Sequence, residues 1–510
     1  MIFNSDSLPL FVALPLAAAF LIPLASRLWE EAAEVLSALV AVALLLLAIA
    51  CAAGPPGVYR MGKWPPPFGI VLVSDALSSL MLLLIAGISL CVIIYAFSYM
   101  KRYTARAKFY SLLMLMITGM DGVVLTGDAF NMFVFLEIAA ISSYALVAFG
   151  TDDEELEAAF KYLVLGGVAS SFILLGIALL YSITGTLNMA HLARQLAALP
   201  GNRVVPFVAA LFIAGFGLKA ALVPFHAWLP DAHPSAPAPI SAMLSGLLIK
   251  ALGVYAMVRI FYDVFTVNAT ISAVLISLGL LSMVVGVLLA VGQWDFKRLL
   301  AYHSISQMGY VMLGIGLGTP LGIAAGIFHM VNHGVFKSLL FLCSGAVESA
   351  TGTRNLKELG GLCHRMPVTS ATCSIAALSI SGVPPFNGFW SKLLIIVAVV
   401  QASGTLGPIA YAIAGVTVLV SFLTLVSFVK VQKYVLFGKL PEKLSAVKEA
   451  PVKMCASMVV LAVLCVVLGV FCQPVLKKLV EPARDAALNK AAYIERVLPE
   501  SKTETAFLEK

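Results

Sequence analysis

Apolar residues fill this chain in long runs, without the strict alternation of a half-buried strand. A helix that crosses a bilayer needs about 20 mostly apolar residues. Fourteen runs meet that length. The first eight lie near 8–26, 33–53, 75–98, 109–127, 129–149, 160–183, 205–228 and 238–262. The other six lie near 269–290, 296–317, 320–347, 368–400, 407–434 and 452–474. Runs this long exclude a β-barrel, whose spanning strands need only about 9–11 residues. The expected fold is therefore all-α and polytopic, with about 14 transmembrane helices.

Two of the runs are interrupted. One reads KAALVPFHAW and contains Pro224. The other reads SISGVPPFNGFWSK and contains Gly382, Pro384 and Pro385. Proline removes an intrahelical hydrogen bond. At membrane depth such backbone is tolerated only inside protein or along a cavity. Broken helices at corresponding places in two halves point to repeats around an ion path. Residues 435–510 read as a last helix with a polar tail. The Val480–Val497 stretch of that tail predicts a short amphipathic helix lying on the membrane or on a partner. The first run carries Asp6 and no basic residue ahead of it, and reads as a retained helix.

Composition sharpens the class. The chain is 61% apolar and 12% charged, against about 45–50% and about 25% for soluble domains. This excludes a water-soluble enzyme, a disordered chain and a nucleic-acid binder. The net charge of +7 reads as loop bias. One set of loops holds Arg27, Lys101, Arg102, Arg106, Lys108, Lys161, Lys297, Arg298, Arg354, Lys357, Arg365 and six lysines between 430 and 453. The opposite set holds Arg60, Lys63, Arg194, Arg203 and Arg259. The positive-inside rule makes the first set cytoplasmic and both termini external. The location that follows is the inner (cytoplasmic) membrane, multi-pass. The eight cysteines contain no CxxC pair, so neither a disulfide framework nor a metal centre is expected.

Four lysines fall inside the runs: Lys219, Lys250, Lys337 and Lys392. A lysine at the bilayer centre costs about 2.5–3.5 kcal/mol on insertion scales, so each must face protein or water. Snorkelling to the interface is the ordinary alternative, strongest for Lys392. Glu137, in NMFVFLEIAAISSY, is the matching anion and requires a cation or a proton. A static ion pair and a proton-linked pair both fit. His329, His333 and Lys337 recur at i, i+4 and i+8, within an arc of about 80° on one helix. Three titratable groups on one stripe suit a proton relay through water. A metal would need a third ligand, and none accompanies them as in HExxH. His226, Asp231 and His233 flank the Pro-rich turn PFHAWLPDAHPSAPAP. They serve either to bond the broken backbone or to take up protons. Asp121, in TGMDGVVL, is intramembrane or near a helix end. TDDEELEAAFK reads as a solvated helix cap.

These residues resemble the antiporter-like proton-channel subunits of respiratory complex I, Mrp-type cation/proton antiporters and membrane-bound hydrogenases. The resemblance covers roughly 65–440. Its carriers are LTGDAFNMFVFLEI, GLKAALVPFHAWLPDAHPSAPAPISAMLSGLLIK, DFKRLLAYHSISQMGY, HMVNHGVFKSLLFLCSGAV, TGTRNLKELGG and SGVPPFNGFWSK. It implies fourteen helices, with two inverted five-helix repeats (109–262 and 269–434), each with a broken helix, after an N-terminal three-helix segment (1–108). By the same resemblance Glu137 is the glutamate of the fifth helix and Lys219 its lysine partner on the broken seventh. Lys250 is the connecting lysine of the eighth helix. His329, His333 and Lys337 form the central hydrophilic axis, and Lys392 is the terminal lysine of the twelfth helix. Asp121 matches no family position.

The reading is a proton-translocating subunit of a multisubunit ion-pumping membrane complex, of Mrp, hydrogenase or complex I-like type. Its expected partners are other membrane subunits, the lipid bilayer and H⁺, with Na⁺ as a second ion. No cofactor is expected, and any redox step falls to partner subunits. Two rivals remain at this point: a self-sufficient secondary cation/proton antiporter, and a redox subunit holding haem or quinone.

Overall fold

The computed structural model describes residues 4–498. Among these residues eleven helices are long and apolar enough to cross a membrane, and three shorter apolar helices accompany them. All fourteen predicted runs are helical. The run near 296–317 forms Phe296–Gly316. Its polar residues Lys297, His303, Ser304, Ser306 and Gln307 dilute its hydropathy and are buried.

Both interrupted runs are broken. The first divides into Val204–Lys219 and Leu229–Ser235. The second divides into Pro367–Ser381 and Asn387–Gln401. Each break leaves helix-terminal carbonyls without intrahelical donors. The indole of Trp228 donates to Leu218 O at 3.0 Å in the first. Lys392 Nζ donates to Ile380 O at 2.7 Å in the second. A cation at a helix C-terminus also meets the negative end of its dipole.

Polar residues set the helix starts. Asp128, Asn188, Asn268, Asp295 and Thr319 each accept the backbone N–H three residues on, the ordinary N-cap arrangement. Asp75 and Ser78 form a reciprocal capping box at Ala76–Tyr99. In TDDEELEAAFK, Glu155 accepts the Asp152 N–H as a helix-start cap.

Several features recur at a fixed spacing. Asp128 bridges Asn188, and Asp295 bridges Asn355. The helices Asp153–Thr184 and Pro320–Thr351 both have 32 residues and both end on a left-handed glycine, Gly185 and Gly352. The same interval of 167 residues separates 128 from 295, 185 from 352 and 188 from 355.

Close packing places the central helix. Ala238–Val264 is buried along its length except at Tyr262. A Cβ on Gly246 would lie 1.9 Å from Ser338 Oγ, and one on Gly253 would lie 2.6 Å from the Ala220 backbone. The two glycines thus bring Lys250 between the first break and the helix that carries Lys337. Around Lys250 the helix widens into i→i+5 hydrogen bonding over Leu244–Tyr255, a form often found at functional sites.

At the end of the molecule opposite the basic loops, strands β1 (Gly57–Arg60) and β2 (Val71–Ser74) form an antiparallel hairpin. The tail folds back there as two helices, Glu481–Leu488 and Lys490–Val497. Their apolar faces, with Ala483, Ala487, Tyr493 and Val497, are buried against this chain's own helices. The expected amphipathic element therefore covers its own chain, instead of a membrane surface or a partner. The tail beyond residue 498 lies outside the described residues.

Arg259 needs correction as well. Its place at the end of an apolar run reads as a loop, but it lies within the Ala238–Val264 helix, 7% exposed. It pairs with Asp75 at 2.6 Å and Asp263 at 2.9 Å, and its Nε donates to Tyr255 at 2.8 Å. The buried charge is thereby neutralised, as burial requires.

Candidate functional site

The predicted polar groups divide into two clusters. In the first, Lys219 is the last residue of its half-helix. Its Nζ lies 3.5 Å from Glu137 Oε1 and 3.4 Å from the Tyr144 hydroxyl. The Ser170 hydroxyl donates to the same Glu137 oxygen. Tyr162 packs edge-on to Tyr144 and stacks on Trp228 at 4.1 Å, which ties the pair to the helix break. The Lys219 side chain is 4% exposed and that of Glu137 is 25%. The outer half of the pair thus faces the surface of the chain. Phe130, Val134 and Ile141, on the same helical face, are exposed too.

The second cluster follows the Pro320–Thr351 helix. His329, His333 and Lys337 are fully buried. The two imidazoles stack with centroids 6.5 Å apart. His329 pairs through Nδ1 with Ser391 Oγ at 2.9 Å and through Nε2 with Gln307 Oε1 at 3.2 Å. Ser391 precedes Lys392, so this contact joins the stripe to the second broken helix. Lys392 Nζ also donates to Ser421 Oγ at 3.3 Å and lies 4.9 Å from the Tyr310 ring. Asn332 donates to Asn387 O at 3.0 Å, a further tie between the stripe and the break. Both nitrogens of His333 and the Lys337 amine have no hydrogen-bond partner among the described residues.

Lys250 stands between the clusters. Its amine donates to Ser245 O, five residues back, in the widened helical turn. Among the described residues no carboxylate forms an ion pair with Lys250, Lys337 or Lys392.

The turn after the first break is divided. Asp231 pairs with Lys161 at 3.2 Å and Arg298 at 3.3 Å on the wall of a cleft of about 220 Å³, also lined by Glu154 and Arg354. His233 is fully buried, 4.6 Å from the Phe341 ring, which itself lies 5.6 Å from Lys337 Nζ. His226 is part-buried, and its carbonyl accepts the Leu229 N–H at 3.1 Å. Pro224, Pro384 and Pro385 sit in the two breaks. Asp121 is buried in Arg106–Leu125 and belongs to neither cluster. No group of three or more His, Cys, Asp or Glu side chains with metal-site spacing occurs among the described residues.

Sequence reasoning passed over Gln307, Ser391, Ser170 and Tyr144, the hydroxyl and amide groups that connect the charges. It also passed over His303. The signal for His303 was its i, i+4 spacing with Gln307 in AYHSISQMGY.

The comparisons with known proteins follow this architecture. Residues 126–421 match the family described as "NADH:quinone oxidoreductase/Mrp antiporter, TM", and 61–110 match "NADH-Ubiquinone oxidoreductase (complex I), chain 5 N-terminus". The chain is 37% identical over 445 residues to the D-type subunit of the Na(+)/H(+) antiporter of Alkalihalophilus pseudofirmus, covering 87% of this chain and 88% of that one. It is 35% identical over 496 residues to the N-type subunit of the NADH-quinone oxidoreductase of Desulforudis audaxviator, covering 93% and 97%. A chain of the Mrp complex from Dietzia sp. superposes with a TM-score of 0.87 at 30% identity, over 97% of this chain and 99% of that one. A chain of the membrane-bound sulfane sulfur reductase, an archaeal respiratory membrane complex, gives 0.88 at 34%, over 97% and 100%. This polytopic membrane protein belongs to the NADH:quinone oxidoreductase/Mrp antiporter transmembrane family.

Proposed function

We propose that this chain is the proton-translocating, antiporter-like subunit of a multisubunit membrane complex. The observation that carries the reading is the buried series from the Glu137–Lys219 pair through Lys250 to Lys337, His333, His329 and Lys392. Groups of this kind are expensive in a membrane unless they do something. A neutral imidazole both donates and accepts, and a lysine amine can cycle its proton, so the series moves H⁺ without a cofactor. Asp231 and His233 serve proton uptake, one at a solvent cleft and the other at the buried end of the same turn. His226 is assigned to the broken backbone.

The functional halves are 109–262 and 269–434, supported by the recurring 167-residue interval. The flanking units are 1–108 and 435–510. The chain lies in the inner (cytoplasmic) membrane with its basic loops in the cytoplasm and both termini outside. Na⁺ is the second ion where the complex is of the Mrp type. The partially exposed Glu137 face supports cover by a neighbouring membrane protein of the complex.

The test is Glu137→Gln, which keeps volume and removes titration. The variant should assemble and lose most proton transport in membrane vesicles. Normal transport in an assembled Gln variant would remove Glu137 from the mechanism and leave the series without its anion.

A further inference from the structure

We infer that His303 is a second proton-access group, feeding the central series from the basic end of the molecule between Phe296–Gly316 and Ile409–Phe437. The inference rests on the proton-moving reading above and adds a route that the Asp231–His233 turn does not supply.

His303 is fully buried, seven residues into its helix, or about 10 Å from that end at 1.5 Å per residue. Its Nε2 pairs with Ser427 Oγ at 2.8 Å across the helix interface, and its ring packs on Phe428 at 4.8 Å. Ser427 lies one turn from Lys430, whose amine donates to Val291 O and Gln293 O at 2.7 and 2.6 Å, at the basic helix ends. His303 Nδ1 and Lys337 Nζ both lack a hydrogen-bond partner among the described residues. The titratable groups around His303 are Lys337, Lys392 and Lys430. The next residue, Ser304, pairs with Ser245 at 2.6 Å, and the Ser245 carbonyl accepts from Lys250. One turn on, Gln307 contacts His329. This helix thus reaches the series directly through Gln307 and, by way of Ser245, through Ser304, and His303 is its titratable residue nearest the surface.

The step balances simply. In the tautomer with a proton on Nδ1, Nε2 accepts a proton from the Ser427 hydroxyl, which regains one from the solvent side. The imidazolium then turns about its Cβ–Cγ bond, Nε2 releases that proton to the neutral Lys337 amine, forming ammonium, and the ring turns back with its Nδ1 proton retained. No electron moves.

A histidine that only fills space tolerates a polar isostere and dislikes a longer cation. A proton-access group has the opposite preference. The experiment measures proton transport in vesicles from cells expressing the full chain, with chain abundance and unfolding temperature recorded. His303→Gln should assemble and transport at least tenfold more slowly. His303→Lys, which restores titration, should transport faster than His303→Gln, with an altered pH profile. Transport by His303→Gln within twofold of wild type, or lysine worse than glutamine, overturns the inference. Should His303→Gln fail to assemble, Ser427→Ala decides: a several-fold loss with normal assembly supports the route, and an unchanged rate overturns it. Glu137→Gln is assayed beside them. Its full activity would sink the transport reading, and His303 with it. Its loss beside a normal His303→Gln would sink His303 alone.

Discussion

Replacing Lys219 with arginine separates charge from proton exchange. Two unit charges 3.5 Å apart attract by about 5 kcal/mol at an effective dielectric near 20. Glu137 is 25% exposed, so screening lowers this toward the bottom of the range for breaking a buried pair, about 3 kcal/mol. Lys219→Ala should therefore cost about that much in stability, visible as a lower unfolding temperature or yield. Lys219→Arg keeps the charge and should cost less than about 1 kcal/mol. Arginine holds its proton at any working pH and cannot cycle it. Transport by the assembled arginine variant should nevertheless fall at least tenfold, equivalent to about 1.4 kcal/mol in the barrier. The assay is dye-reported proton pumping in vesicles, with assembly followed by copurification. Full activity in Lys219→Arg would refute the reasoning, reduce this lysine to a fixed charge and send the proton path elsewhere.

Other outcomes follow from the same contacts. His329→Gln and His333→Gln should slow transport while leaving metal content unchanged; stoichiometric zinc or iron in the wild type that disappears from the variants would replace the relay with a metal site. Arg259→Met strands Asp75 and Asp263 and should cost about 3–5 kcal/mol, while wild-type stability in that variant would make the cluster incidental. Burial alone would raise the Asp75 carboxyl, but the Arg259 guanidinium and the Ser78 cap hold it below its ordinary range. Its contribution is therefore present at neutral pH and lost as pH falls through that lowered value, and Asp75→Asn should abolish this part of the acid limb of a melting curve. Glu449 accepts Val368 N–H at 2.7 Å and the Thr369 hydroxyl at 2.7 Å, capping Pro367–Ser381 from a distant loop; Glu449→Ala should cost about 1 kcal/mol and lower the unfolding temperature without changing the pH profile of transport.

Much of this architecture was readable because bilayer length forces long apolar runs, and proline marks where they break. The intramembrane lysines stood out for the same reason: nothing else in an apolar run costs so much. What the runs could not supply was three-dimensional partnership. Arg259 looked like a loop residue because its neutralising Asp75 lies 184 positions away. The tail helices showed an apolar face but not what it packs on. Glu449 gave no sign in sequence of capping a helix some 80 residues earlier. The connecting groups, Ser391, Gln307 and Ser170, are ordinary residues whose importance comes from which charge they touch. His303 was hidden differently, as one polar residue inside a motif dense with them.

The 167-residue interval gives the two halves unequal chemistry. Applied to Glu137 it leads to Ser304, and applied to Ser170 it leads to Lys337. The first half therefore has a carboxylate and a hydroxyl where the second has a hydroxyl and an amine. In the first half Lys219 meets an anion. In the second, Lys392 rests on a helix-end carbonyl and Lys337 on an aromatic face. Carbonyl dipoles and ring faces stabilise a cation less than a carboxylate does. Among the described residues Lys250, Lys337 and Lys392 also lack a shared anion, so a proton added to one raises the cost of charging the next through a medium that screens poorly. Charge in the second half is thus easily displaced, whereas charge in the first is anchored to Glu137. Loosening the anchored pair at one end changes the field on Lys250, and through it the occupancy of the stripe, with no large movement of the fold. On the proposed reading, the asymmetry makes the Glu137–Lys219 pair the control point and the histidine–lysine stripe the carrier.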